Sequence, residues 1–185
     1  MPAKQIRDPR TMSNAEFNEL LERGAEIAKW PLFVDDPEEL TAQELVARAR
    51  LHIRRFGVKL IVVDYLQLID APGKETRDKV TAASNALRKI PKAEGVPVVA
   101  LSQLARPRDR NENGRPSMVD LKESGSIEAH AHVVLLLYRP KNEHGEWSGE
   151  DEIIVAKQRE GLVGWEPVWL HNQRLQFVER MAQAQ

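Results

Sequence analysis

Gly57-Val-Lys-Leu-Ile-Val-Val-Asp64-Tyr-Leu-Gln-Leu-Ile-Asp70 decides the fold of this chain. The apolar run Leu60 to Val63 stops at one carboxylate, Asp64, and continues into polar Tyr65 and Gln67. An uninterrupted apolar run of that length predicts a strand of a parallel sheet, buried on both faces. In open α/β sheets, ligands bind just beyond the carboxyl ends of the strands. An acid at that point can hold a Mg²⁺ that carries nucleotide phosphates, or it can simply cap the next turn.

Working outward, Ser13-Asn-Ala-Glu16 and Thr41-Ala-Gln-Glu44 are capping boxes and predict two helices. The first places Phe17, Leu20, Leu21, Ile27 and Trp30 on one face and ends at Pro31, with a short strand at Leu32-Phe-Val34. The second runs through Leu45, Ala49, Ile53 and Phe56 to a stop at Gly57. After strand 58–64 come a Pro72-Gly73 turn, a helix over 75–90 and an apolar strand from Val98 to Leu101. A polar loop over 103–118, a helical piece over 117–131 and a buried strand from His132 to Tyr138 follow. The segments Asp151–Gln158, Glu166–His171 and Leu175–Val178 predict further strands, after a loop or hairpin at 140–149. Strands alternating with helices and then running together predict an α/β fold, a mainly parallel sheet with antiparallel C-terminal strands. Residues 1–185 read as one domain, with no repeat and no low-complexity linker.

Composition narrows the class. A net charge of -1 advertises no global affinity for nucleic acid, so any such contact must come from a local patch. The absence of cysteine excludes disulfides and thiolate metal sites. The five histidines show no zinc spacing, and Trp147, Trp165 and Trp169 read as packing residues. The N-terminus shows no signal-peptide pattern, and no apolar run approaches the ~20 residues of a membrane span, so a cytoplasmic protein without membrane contact is expected.

Four further segments carry chemistry. Strand 98–101 ends in Ser102-Gln103-Leu104, where an amide can donate to phosphate or serve a hydrogen-bonded strand end. The loop Arg106-Pro-Arg108-Asp-Arg110-Asn-Glu-Asn-Gly-Arg115-Pro holds four arginines against two acids. It can be a solvated surface loop or an electrostatic grip on a single-stranded backbone; with no aromatic residue in it, base stacking is not indicated. Asp120-Leu-Lys122-Glu123-Ser-Gly125-Ser-Ile-Glu128 permits a tight turn whose backbone N–H groups can meet phosphate oxygens. Lys157-Gln-Arg159-Glu-Gly161 leaves a strand with two cations and reads equally as an exposed strand end.

In this order, Asp64-Tyr-Leu-Gln-Leu, Ala100-Leu-Ser-Gln-Leu104, Asp120 to Glu128 and Lys157 to Gly161 resemble the motor domain of DnaB-type replicative helicases. The resemblance implies a RecA-like core and covers nearly all of this chain, but only the later part of that motor domain. It implies that Asp64 is the Walker B acid acting on Mg²⁺ of bound ATP, and that Gln103 is the sensor of the γ-phosphate. It makes Lys157 and Arg159 the pair that reaches a neighbouring subunit's nucleotide, with Arg159 an arginine finger contributing about 10³–10⁵-fold in rate. It further implies DNA contact through Arg106, Arg108, Arg110, Arg115, Lys122, Glu123 and Gly125, and partners comprising single-stranded DNA, a homo-hexamer, a primase and a helicase loader. Lys122 stands where the family has arginine, and Glu160 where it has asparagine. The Lys122 change keeps charge but loses the planar fork.

One element of the pattern is missing. A P-loop needs Gly-x-x-x-x-Gly-Lys-Ser/Thr, and the one Gly-Lys pair here, Gly73-Lys74, is followed by Glu75 and has Leu68 five residues ahead. The N-terminal part of the core is therefore expected to be absent, leaving an uncovered sheet edge, weak ATP binding and negligible hydrolysis by this polypeptide alone. The leading expectation is the C-terminal part of an ATP-dependent hexameric helicase. The alternative is a non-catalytic module that docks on a full helicase and modulates it. Asp-Tyr-Leu-Gln-Leu and Glu-Ser-Gly-Ser-Ile argue against a recombinase relative.

Overall fold

The computed structural model describes residues 3–104 and 114–179. The chain divides into two compact units. One holds Asp36–Leu136 and Ile154–Gly164; the other holds the segment up to Asp35, Leu137–Ile153 and the segment from Trp165.

The larger unit is built on α3 (Ala42–Phe56), α4 (Thr76–Leu87), α5 (Lys89–Glu94) and two parallel strands, β1 (Ile61–Val63) and β2 (Val98–Ala100). Thr41 and Glu44 close the expected capping box, and Gly57 ends α3 at φ 66, a left-handed angle that suits glycine. The helix expected over 75–90 instead stops at Leu87 and resumes as α5. Pro91 explains the break: it has no N–H to bond the Leu87 carbonyl, yet is tolerated in the first turn of a new helix. Ala42, Leu45, Val46 and Ala49 of α3 pack with Val63, Leu66, Val80, Ala83, Leu87 and Ile90 in one core. Glu94, at the end of α5, pairs with Arg50 at 3.1 Å and Arg54 at 3.3 Å and so ties α5 to α3.

β1 and β2 are shorter than their apolar runs and are not buried on both faces. Val62 is 59 % exposed and Val99 51 %, and both Leu60 and Leu101 are exposed. Val62 lies opposite Val99 in the ladder, so these four residues share one bare face while Val63 points into the core. α3, α4 and α5 pack on the side of this sheet that Ile61, Val63 and Val98 face.

A second, smaller core gathers Leu121, Val134 and Leu136 with Leu104, Met118, Ala131, Ile154 and Ala156. Residues Met118–Ser124 form a 3-10 helix that passes directly into α6 (Gly125–His130). The tight turn expected at Ser-Gly-Ser is thus a junction of two helices. Strand β3 (Val133–Tyr138) buries Val134 and Leu136 but exposes Val133, Leu135 and Leu137, so it is a one-sided strand rather than a fully buried one. It leads the sheet order β3-β4-β5-β6, with β4 at Asp151–Gln158, β5 at Gly164–His171 and β6 at Gln176–Glu179. The last two pair antiparallel, Val168 opposite Glu179.

In the other unit, α1 (Ala3–Arg7) precedes α2 (Asn14–Ile27), whose N-terminus carries the predicted Ser13–Glu16 capping box. No residue of α2 is buried. Leu32 to Val34 belongs to no ladder, a correction to the strand expected there. Asp151, 1 % exposed, accepts hydrogen bonds from Arg139 Nε (3.1 Å) and the backbone N–H of Leu170 (2.9 Å). Arg139 also lies over the Trp147 ring at 4.3 Å, with Lys141 at 4.9 Å. Trp147, Trp165 and Trp169, read as packing residues, are all about half exposed; Trp147 packs under Arg139 and Trp169 meets the His171 ring edge-on.

Candidate functional site

The parallel pairing Val63↔Ala100 sets the ends of β1 and β2 side by side, so Asp64 and Ser102-Gln103 leave the sheet at one end. Two backbone bonds hold the exits together: Leu101 N–H to the Val63 carbonyl and Leu66 N–H to the Leu101 carbonyl, each 2.9 Å. The peptide between Asp64 and Tyr65 is cis. Asp64 is exposed at the strand end, and so is Gln103.

Gln67 completes the crossing. Its Nε2 donates to Ser102 Oγ at 3.0 Å, and its Oε1 accepts from the Gln103 backbone N–H at 3.3 Å. Sequence reasoning assigned no role to Gln67, whose partners Ser102 and Gln103 lie 35 and 36 residues further along the chain. The Gln103 backbone is thereby tied, while the residue itself is exposed beyond the sheet end.

Lys157 and Arg159, two residues apart at the end of β4, are directed to the same element. Lys157 Nζ donates to the Glu128 carbonyl. Arg159 Nη2 donates to the Ala129 carbonyl at 2.9 Å, and the Arg159 backbone N–H bonds the His132 carbonyl at 3.0 Å. Both cations thus lie on the C-terminal end of α6. Gly161 follows closely: a Cβ there would fall 2.3 Å from Gln158 Nε2, so the turn admits only glycine without displacing Gln158.

His130 completes that corner. Its Nδ1 lies 3.1 Å from Ser84 Oγ. Burial, and then the nearby cations Arg88, Arg159 and Lys157, hold its pKa below the ordinary histidine value.

Asp120, the first residue of the Asp120–Glu128 segment, is buried and accepts from the Ser117 N–H at 2.6 Å and from Ser117 Oγ at 3.2 Å. Its carboxylate starts the 3-10 helix and does not face a ligand. The backbone of Lys122, Glu123 and Gly125 lies along the junction into α6. Arg115 is partly exposed; Arg106, Arg108 and Arg110 lie outside the described residues. Among the described residues no cluster of His, Asp and Glu could by itself hold a metal ion. Asp64 alone would meet a cation already carried by phosphates, a donor set that fits Mg²⁺ bound through nucleotide and water.

The fold around this strand pair is RecA-like, as its likeness to solved structures shows. The chain superposes on a solved ATPase domain with a TM-score of 0.86 at 26 % identity, over 97 % of this chain and 66 % of that one. A DnaB-like replicative helicase, solved in a study of its interactions with primase, matches with a TM-score of 0.84 at 26 % identity, over 97 % and 46 %. The chain belongs to the DnaB-like helicase C terminal domain family, whose model matches residues 1–179. Replicative DNA helicase DnaB of Mycobacterium leprae is 39 % identical over 154 residues, 81 % of this chain and 26 % of the relative. The Pasteurella multocida protein of the same name is 44 % identical over 138 residues, 72 % and 30 %. The chain spans between about a quarter and two-fifths of the length of such relatives. Among the described residues no helix is long and apolar enough to cross a membrane.

Proposed function

We propose that this polypeptide is the C-terminal part of an ATP-dependent hexameric helicase motor that moves along single-stranded DNA and parts the duplex. The observation that supports this most is the shared exit of β1 and β2, where Asp64 and Gln103 leave the same end of the sheet and Gln67 bonds Ser102 and Gln103. In this reading Asp64 holds Mg²⁺ on bound ATP through water, and Gln103 senses the γ-phosphate. Lys157 and Arg159 serve the nucleotide of the adjacent subunit. Arg106, Arg108, Arg110, Arg115, Lys122, Glu123 and Gly125 face DNA. The bound Mg²⁺–ATP supplies the phosphoryl group and charge neutralisation; the residues here orient it and respond to it. Primase and loader partners, and a cytoplasmic setting, follow from the same reading.

Testing requires a helicase that contains this segment together with a P-loop. Arg159→Ala and Asp64→Ala should each reduce its ATP turnover and unwinding by about 10³-fold or more. Full unwinding in either variant would sink the assignment.

The lack of Gly-x-x-x-x-Gly-Lys in these 185 residues favours one second reading, a non-catalytic subunit that joins a P-loop-bearing helicase ring and modulates it. Mixing the purified chain with such a helicase discriminates. Co-sedimentation with altered ATP turnover supports this reading, and no association at micromolar concentration excludes it.

A further inference from the structure

The last four carbonyls of an α-helix have no partner within the helix and must be satisfied from outside. In α6, the Ile127 carbonyl accepts from the Ala131 N–H, Glu128 from Lys157 Nζ, and Ala129 from Arg159 Nη2. Two of these acceptors are therefore served by side chains from another element, and both side chains are cations at the negative end of the helix dipole. The backbone bond from Arg159 N–H to the His132 carbonyl keeps β4 beside the α6–β3 junction, so the reach of both side chains is preset. At its other end α6 is continuous with the 3-10 helix Met118–Ser124.

We propose that Lys157 and Arg159 are a releasable C-terminal cap of α6, drawn off its carbonyls by a polyphosphate that they contact. Phosphate occupancy would then loosen the helix that follows the 120–124 segment. The phosphate contact rests on the function proposed above; the cap rests on the geometry alone. A phosphate oxyanion adds the attraction of opposite charges that a neutral carbonyl lacks, so the anion wins the competition for these cations once it is within reach. Six residues make α6 too short to persist on its own, so losing two of its terminal acceptor bonds alters its opening directly. A signal at the nucleotide would reach the segment proposed to face DNA through one small helix inside a single subunit.

Amide hydrogen exchange of residues 129–131 in the full chain tests this, read by NMR with inorganic tripolyphosphate as the probe and its binding followed by ³¹P signals. In the Lys157→Met/Arg159→Met double variant these amides should exchange about 3- to 30-fold faster, the loss expected for two cations at a helix C-terminus. Amides in the core of α4 should keep their protection and so report that the fold is intact. Lys157→Arg/Arg159→Lys should restore the slow exchange. Tripolyphosphate should accelerate 129–131 in the unaltered chain and leave the double Met variant unchanged. Unchanged exchange in the double Met variant overturns the cap. Binding of tripolyphosphate without faster exchange overturns the release. If the double Met variant unfolds, the conservative pair and the probe on the unaltered chain carry the test. Failure of tripolyphosphate to bind instead removes the phosphate contact assumed under the proposed function, and the release with it, while the cap is still decided by the variants.

Discussion

Asp151 is the most deeply buried carboxylate described, and both its oxygens are used, one by Arg139 and one by the Leu170 N–H. Asp151→Ala leaves the guanidinium and a backbone N–H without their acceptor. Arg139 keeps 22 % of its side-chain surface and its place over Trp147, so water compensates part of the loss. The expected cost is roughly 2–3 kcal/mol, below the full cost of breaking a wholly buried pair, and urea unfolding measures it. His130 sets a pH dependence of definite sign. Its pKa is held down in the folded chain by burial and by Arg88, Arg159 and Lys157. The unfolded chain therefore binds more protons than the folded one as pH falls. Its contribution to stability is complete above the ordinary histidine value of about 6.5 and is lost as pH falls through the depressed folded value. His130→Asn should flatten stability against pH in that window, as urea midpoints measured across it will show. At this scale the sequence displayed Asp64, Gln103, Lys157 and Arg159 because each ends an apolar strand. It did not display Gln67 or the Arg139–Asp151 pair, since neither has a pattern until the chain folds back.

The two capping boxes look alike in sequence and differ in consequence. Thr41 starts α3, which buries Leu45, Val46 and Ala49; Ser13 starts α2, which buries nothing. Thr41→Ala should lower global stability by about 1 kcal/mol, whereas Ser13→Ala should fray α2 and leave the unfolding midpoint nearly unchanged. Thermal unfolding combined with amide exchange separates these results. Glu44 reinforces the contrast. Its pKa is lowered by hydrogen bonds from the Thr41 backbone and then the Thr41 hydroxyl, so this support is present above the ordinary glutamate range and disappears as acid protonates the carboxylate. Ile90, fully buried, joins α5 to the α3–α4 core, and Ile90→Ala should cost about 2–5 kcal/mol in the same unfolding experiment. Caps, Gly57 and the two central strands were legible because their signals are local. The division of α4 from α5 was also encoded, in Pro91, and was overlooked inside a strong helical pattern.

At the scale of the whole molecule the exposed apolar surface dominates. Leu60, Val62, Val99 and Leu101 form one uncovered sheet face, a feature that stable monomers seldom present and that marks an interaction surface. The chain should associate with itself as its concentration rises, and Val62→Thr with Val99→Thr should shift sedimentation toward the monomer while leaving circular dichroism unchanged. A monomer at all concentrations in the unaltered chain would show that this face is tolerated in water.

The resemblance of the chain's motifs implied the RecA-like class; the sequence by itself determined the capped starts of α2 and α3, the stop of α3 at Gly57 and the identities of the strand-end residues. Each of these depends on neighbours within a turn or two, through capping, proline geometry and apolar periodicity. Only the tertiary structure decided that β1 and β2 are bare on one face and that Gln67 braces the Gln103 exit. It alone turned Lys157 and Arg159 onto the carbonyls of α6. Those outcomes depend on residues roughly 30 or more apart in the chain meeting in space, and a helix carbonyl carries no side-chain signature by which its partner can be foreseen.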